Sequence, residues 1–410
     1  MCAKWVEKSD NSVDILAKQL EKHKILDNSG KFTGWEGFEF DDYSTAIESY
    51  LIFDNQIPQY ERSIIFNKAL DSLTKTKMLS AKEILGSVCR EENHYLDKPK
   101  TDFVLATSIS IKYFDELKKA NRRNKSIKFR CSIPKRFDQT KPLKEWESMK
   151  LGELPKSYTS IQISVKARGY HEAYNVAIDE LDLLRGIWNL MLNGEVISFF
   201  SRNNFEPINR IKLGAFHTLH FPDGKPATNG VFWYEFDYFK MDTDISRDWG
   251  EINRFELGCK KYLLNHLYKS DMEDVIRRYA RALDYRDLHI SFLELWILLE
   301  KLTATTNANY EKMVKRVAFL YKEGDLVKQI IQHLRLYRNS NVHTGQRSER
   351  ISKYVYQLKR YVEELIWFNL RNYFKFANLE EAASLLDLPV DSNILKNRVK
   401  ILNKGIKFRS

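Results

Sequence analysis

The chain reads as an α+β protein. A mixed α/β domain spans residues 1–250, an all-α bundle spans 251–375, and a basic helical tail spans 376–410. Three observations predict this. Strand-like alternation is confined to the first 240 or so residues, and apolar residues recur at helical spacing beyond about 250. No proline stands between Pro226 and Pro389 to break those later helices.

The elements follow in order. "TDFVLATSISIKYF" (101–114) and "SIKFRCSIP" (126–134) alternate and are rich in β-branched and aromatic residues, so each predicts a strand. "YTSIQISVKARGY" (158–170) predicts another. It runs directly into 171–193, where Ala173, Val176, Ala177, Leu181, Leu184, Ile187 and Leu190 share one helical face. In 214–239 the Pro-Asp-Gly and Thr-Asn-Gly turn signals separate two aromatic-rich strands, which predicts a hairpin. Beyond 250 the spacing predicts helices over 252–269, 271–285, 287–303, 309–322, 325–338 and 349–374. The helix at 287–303 is apolar on nearly every face, as for one buried inside a bundle. The last carries Tyr354, Leu358, Tyr361, Leu365 and Phe368 on one stripe.

Composition excludes several classes. A chain of 410 residues, 43% hydrophobic and 13% aromatic, is long and apolar enough for two folded domains, not a disordered tract. The most apolar run, 288–302, is too short to span a bilayer and is interrupted by Glu294 and Glu300, so no membrane association is expected. "MCAKWVEKSD" lacks a basic flank followed by an apolar stretch, so no signal peptide is expected and the location predicted is cytoplasmic. Cys2, Cys89, Cys131 and Cys259 show no CxxC spacing, which argues for a reducing compartment and against a disulfide framework or structural zinc.

Neither GxxxxGK[ST] nor GxGxxG is present, nor GxSxG. "HEAYN" (171–175) lacks the second histidine of a zinc helix. His217 and His220, three apart in a strand, point to opposite faces. No cofactor and no metal are therefore expected.

The net charge of +11 is unevenly placed. Nine basic residues and no acid lie between Lys118 and Arg136, and the chain after Asp391 carries Lys396, Arg398, Lys400, Lys404, Lys407 and Arg409 without an acid. Such clusters neutralise phosphates, which makes RNA a candidate partner and Arg122, Arg123 and Lys125 candidate contacts. A solubilising surface explains the same charge equally well. The tail "NLEEAASLLDLPVDSNILKNRVKIL" (378–402) reads as a helix pair, which on its charge alone also admits a DNA-binding regulator.

The most informative stretch is "RLYRNSNVHTG" (335–345). Arg338 and His343 stand in R-x4-H spacing, with the helix expected to end at Arg338. Five positions on an unbroken helix turn about 140°, whereas a break after Arg338 brings both side chains into one cleft. An imidazole moves protons near neutral pH, and a guanidinium stabilises charge growing on phosphoryl oxygens. RNA supplies its own nucleophile, the 2′-hydroxyl. Asn339 and Asn341 are placed to bond a phosphate or orient the imidazole. Glu300, if interior, needs a cation, and Arg338 is the candidate. The bland alternative is an ordinary helix end, where cations and Asn are common and a histidine caps the next turn. Arg210 and His217 form a second match in β context and are set aside as chance. His289 and His333 read as packing or surface residues.

Context adds a resemblance. "FLELWILLEKLT", followed by the R-x4-H motif with a polar residue after its arginine and then a long helix, resembles the HEPN superfamily of four-helix-bundle ribonucleases, in particular its ApeA-like branch, over roughly 265–375. The resemblance implies a HEPN helical bundle acting as a metal-independent endoribonuclease. His343 would be its general acid/base, Arg338 its transition-state cation, Asn339 an assistant and Glu300 the group that holds Arg338. It implies 2′,3′-cyclic phosphate and 5′-hydroxyl ends, a homodimer through the C-terminal bundle, and a conditional toxin in anti-viral (abortive-infection) defence. The N-terminal domain would sense a viral or regulatory trigger. A HEPN bundle that binds RNA or protein without cutting remains the competing reading.

Overall fold

The computed structural model describes residues 2–28, 32–73, 79–120, 126–150, 154–155, 157–194, 207–235, 238, 242–305, 309–345 and 347–409, the side chains of 343 and 344 excepted. A mixed α/β N-terminal region precedes a helical C-terminal region, as the sequence predicts.

The first 97 residues make a unit of their own. Its elements are β1 (Lys4–Trp5), α1 (Asp10–Glu21), β2 (Lys24–Leu26), β3 (Phe32–Trp35), α2 (Phe38–Ser49), β4 (Leu51–Ile52), α3 (Gln59–Ser72) and α4 (Ala81–Asp97). β1 pairs with β4 and β2 with β3, both antiparallel. Val13, Leu20, Ile47, Phe66, Leu70, Ile84 and Val88 form a core separate from the rest of the molecule. Glu92 of α4 accepts the Ala3 N–H at 2.7 Å and the Asp54 N–H at 3.0 Å, which holds the N-terminal strand against α4. Here the structure corrects the expectation for the cysteines: Cys2 and Cys89 form a disulfide, their Cα atoms 5.4 Å apart. Residues 87 apart in sequence carry no spacing signal, and only the docking of β1 on α4 brings them together.

The second unit begins with β5 (Thr101–Lys112), α5 (Leu117–Ala120), β6 (Ile127–Arg130), α6 (Thr140–Ser148), β7 (Tyr158–Ala167), α7 (Tyr170–Leu192), β8 (Phe216–His220) and β9 (Trp233–Tyr234). The strands form an antiparallel sheet in the order β6-β7-β5-β8-β9, with β5 central. The predicted hairpin is the β8–β9 pair. The helical region follows: α8 (Trp249–Leu264), α9 (Lys269–Ala282), α10 (Leu288–Leu302), α11 (Tyr310–Phe319), α12 (Gly324–Thr344), α13 (Ile351–Arg371), α14 (Leu379–Leu386) and α15 (Ser392–Arg409).

The change in character near residue 250 is one of secondary structure, and the core runs straight through it. Phe129, Ile161 and Trp188 belong to the same buried cluster as Ile276, Phe292 and Leu365. α7 is the shared element. Its Gly186 lies where a Cβ would stand 2.5 Å from the Ile276 carbonyl oxygen, so α7 and α9 cross at a point only glycine permits. Below this crossing lies a buried ionic network. Arg185 is fully buried and donates to Asp182 (2.6 and 3.0 Å), Asp284 (2.8 and 3.1 Å) and the Ile211 carbonyl (3.0 Å). Arg281 extends it to Asp182 and to Glu235, which also contacts His217 at 3.1 Å. Burial would push the Glu235 carboxyl up, but the His217 hydrogen bond and the Arg281 charge outweigh it and hold the group at about 2. His217 and His220 do face opposite ways: His217 lies against Tyr174 of α7, His220 against Phe137.

The aromatic stripe of α13 is largely spent within the chain. Leu358, Tyr361 and Leu365 are buried there, so it is not free material for an interface. Arg316 of α11 donates to Asp387 at 2.8 and 2.7 Å and fixes α14. The basic tail forms α15 and buries no residue. Among the described residues no helix is long and apolar enough to cross a membrane.

Candidate functional site

α10 presents one stripe to α12. His289, Phe292, Trp296 and Glu300 recur at three- and four-residue steps along it. Asp287 starts the helix by accepting the His289 N–H at 2.9 Å, which sets the first imidazole of the stripe at its N-terminal end. On the other side of the seam, Tyr337 of α12 packs edge-on to Phe292 with ring centres 5.0 Å apart, and its hydroxyl hydrogen-bonds His289 Nδ1. Asn341 Nδ2 stands 3.5 Å from the same hydroxyl. His289, Tyr337 and Asn341 thus form a chain of polar groups ending within the R-x4-H segment.

The cationic part lies alongside. The Arg338 guanidinium sits over the Tyr310 ring at 5.3 Å, and Arg335, one turn earlier, lies over the same ring at 5.3 Å. Tyr310 packs on Trp296, whose indole N–H donates to Glu300 at 2.8 Å. Asn309 caps α11 by accepting the Lys312 N–H, and so fixes Tyr310 as the first residue of that helix. Arg335 also donates to Gln332 at 3.4 Å, and a guanidinium stacked on a ring in this way keeps N–H groups along its edge, whose planar fork fits a phosphate in two-point contact.

Burial lowers the His289 imidazole below its ordinary range; Asp287 opposes this and Arg347 adds to it. The ring is therefore neutral at pH 7 and able to accept a proton. Tyr337, buried beside Asp287, is pushed up to about 12 and stays protonated; with its oxygen accepting from Nδ1–H, the Nε2 lone pair of His289 is the one left to take a proton. Asp287 also pairs with Arg347 at 3.0 Å, tying the start of α10 to the chain just after the motif.

Two expectations about the motif change. The helix does not end at Arg338: α12 runs on to Thr344 and stops at Gly345, whose φ of 64° is the left-handed cap that glycine accepts readily. Asn341 accepts the closing bond from the Gly345 N–H at 3.0 Å. The polar residues after Arg338 suggested an earlier stop, but none of them breaks a helix. Positions 338 and 343 therefore stand about 140° apart around one axis. Glu300, moreover, is not the partner of Arg338. Its carboxylate is taken by Trp296, and among the described residues the two form no ion pair.

Asn339 is half-buried on α12. The side chain of His343, and all of Arg122, Arg123 and Lys125, lie outside the described residues. The sequence reads His289 as a packing or surface residue, and it does pack against Tyr337; Tyr337, Tyr310, Trp296 and Arg335 are not singled out by the sequence. The signal for His289 was present, since His289, Trp296 and Glu300 share a face of the α10 pattern. His333 is exposed, as expected, with its ring against Tyr354. No family model, no curated protein and no solved structure matches the chain.

Proposed function

We propose that the seam between α10 and α12 cleaves RNA without a metal ion, within a HEPN-type endoribonuclease. The observation that carries this reading is that neighbouring stretches of α12 carry two guanidiniums over Tyr310 and a tyrosine bonded to a neutral imidazole, His289. The 2′-hydroxyl attacks its neighbouring phosphate, and an imidazole takes its proton. Arg338 stabilises the charge on the phosphoryl oxygens, and a second imidazole protonates the leaving 5′-oxygen. The products carry a 2′,3′-cyclic phosphate and a 5′-hydroxyl.

The continuous helix supports one particular role for His343. Turned about 140° from Arg338, it serves the Arg338 of a second copy, across a two-fold axis that uses the same surface twice. Leu336, 67% exposed, stands seven positions before 343 and so shares its face, giving that contact an apolar element. In this reading Arg338 and His289 come from one chain and His343 from the other. Asn339 and Asn341 position the phosphate, and Glu300 orients Trp296 beneath Tyr310. A toxin role in cytoplasmic anti-viral defence, triggered through the N-terminal region, is the biological setting that the resemblance suggests.

Incubating purified protein with total RNA, with and without EDTA, tests the reading. Cleavage unaffected by EDTA, with cyclic phosphate ends, supports it. Binding without cleavage supports the alternative, a non-catalytic RNA- or protein-binding bundle, which the separation of 338 and 343 on one unbroken helix favours. Cleavage abolished by EDTA overturns the metal-independent chemistry.

A further inference from the structure

A second cavity shares no lining residue with the α10–α12 seam. It is a cleft of about 710 Å³ between α7, α9 and the β8–β9 hairpin. One wall is aromatic: Tyr174 and Phe232 stack with centres 4.8 Å apart, His171 stands edge-on to Phe232, and Trp233 is half exposed beside them. Across the cleft, Arg277 and Arg278 share one turn of α9 and Arg281 stands on the next, with Asp274 beside them. Beneath lies the ionic network that Arg281 closes between Asp182 and Glu235.

The three arginines are not equivalent. Arg281 is consumed by Asp182 and Glu235 and acts as the floor. Arg277 donates Nε to the Asp179 carbonyl at 3.1 Å, and Arg278 donates Nε to Asp274 at 2.8 Å. Among the described residues their terminal nitrogens make no hydrogen bond, and that of Arg277 lies 3.8 Å from Glu273. Their planar forks are thus open to an anion at the mouth. Asn175 and Asp179 lie between the two walls.

We propose that this cleft binds a mononucleotide. The planar base stacks on the Phe232–Trp233 wall, Asn175 and Asp179 bond the base edge or sugar hydroxyls, and the phosphate meets Arg277 and Arg278. The volume falls within the range of sites for ligands of this size. A nucleoside without phosphate uses the aromatic wall alone, and inorganic phosphate uses the arginines alone. The inference is independent of the ribonuclease reading.

Isothermal titration with AMP, GMP, adenosine and inorganic phosphate tests it on the full chain. The variants are Arg278→Glu and Trp233→Ala, both at exposed positions that leave the core intact, with melting curves as the check on folding. A mononucleotide should bind at least tenfold more tightly than adenosine or phosphate. Arg278→Glu should remove that advantage while leaving adenosine binding unchanged, and Trp233→Ala should weaken nucleotide and adenosine alike. Absence of nucleotide binding to the wild type overturns the proposal. So does binding unaffected by either variant, or phosphate binding as tightly as the nucleotide.

Discussion

Arg185→Ala should weaken the whole of the second unit, because this one side chain joins the sheet region to the helices. The arginine is completely buried and makes five hydrogen bonds, to Asp182 on its own helix, to Asp284 just beyond α9, and to the Ile211 carbonyl. Removing it leaves one cation, Arg281, facing Asp182, Glu235 and the neighbouring Asp284, while the Ile211 carbonyl keeps only its bond from Asn189. Deleting one member of a buried ionic cluster typically costs ~3–5 kcal/mol, most of it the penalty of the charges left behind. For a unit of this size that lowers the melting temperature by roughly 10 °C. Calorimetry with parallel circular dichroism at both helix- and sheet-sensitive wavelengths measures it. The two signals should fall together, since Asp284 follows α9 while Ile211 lies on the path into the sheet. A loss below ~1 kcal/mol, or a shift confined to one signal, would refute a single cooperative core across residue 250.

Three further outcomes follow from the same geometry. Gly186→Ala should cost ~1–3 kcal/mol by forcing α7 from the Ile276 backbone, while Gly34→Ala, with open space around its Cβ position, should cost far less in the same denaturant titration. The His289 imidazole titrates lower in the folded chain than in the unfolded one, so its contribution to stability is present above ~6.5 and lost as pH falls from there to its folded value. His289→Gln should flatten that part of the stability profile and slow RNA cleavage ~10²-fold or more, whereas His333→Gln should leave both unchanged. Neutralising Arg122, Arg123 and Lys125 together should weaken RNA binding and flatten its salt dependence by about 0.7 per lost phosphate contact, without altering the cleavage products; unchanged binding would return the segment to a solvated surface.

Much of the architecture was legible because periodicity is a local signal. Val176, Leu181 and Leu184 marked α7, and two turn signatures marked the β8–β9 hairpin. The extent of the core was not legible. Its joining residues, Gly186, Arg185 and Asp284, read respectively as a weak helix position and two ordinary charges until α7 and α9 cross. The disulfide was hidden for the same reason, since only tertiary docking brings Cys2 to Cys89. At the site, the sequence marked Arg338 and drew attention to Glu300, and both lie around the Trp296–Tyr310 pair. It placed the helix end six residues too early by giving weight to asparagines that α12 tolerates. It passed over His289 because a lone histidine near a helix start carries no spacing relation to Arg338, 49 positions later.

The proposed centre is built from two chains, and mixing Arg338→Ala protein with His343→Ala protein tests that most directly. Each variant alone should be inactive. In an equimolar mixture left to exchange subunits, half the dimers are mixed, and each carries one centre with an intact Arg338 from one chain and His343 from the other. RNA cleavage should then return to about a quarter of the wild-type rate. A mixture that stays inactive, although mass measurement shows mixed dimers have formed, would contradict the shared centre. A strictly monomeric protein that is fully active at high dilution would contradict it as well.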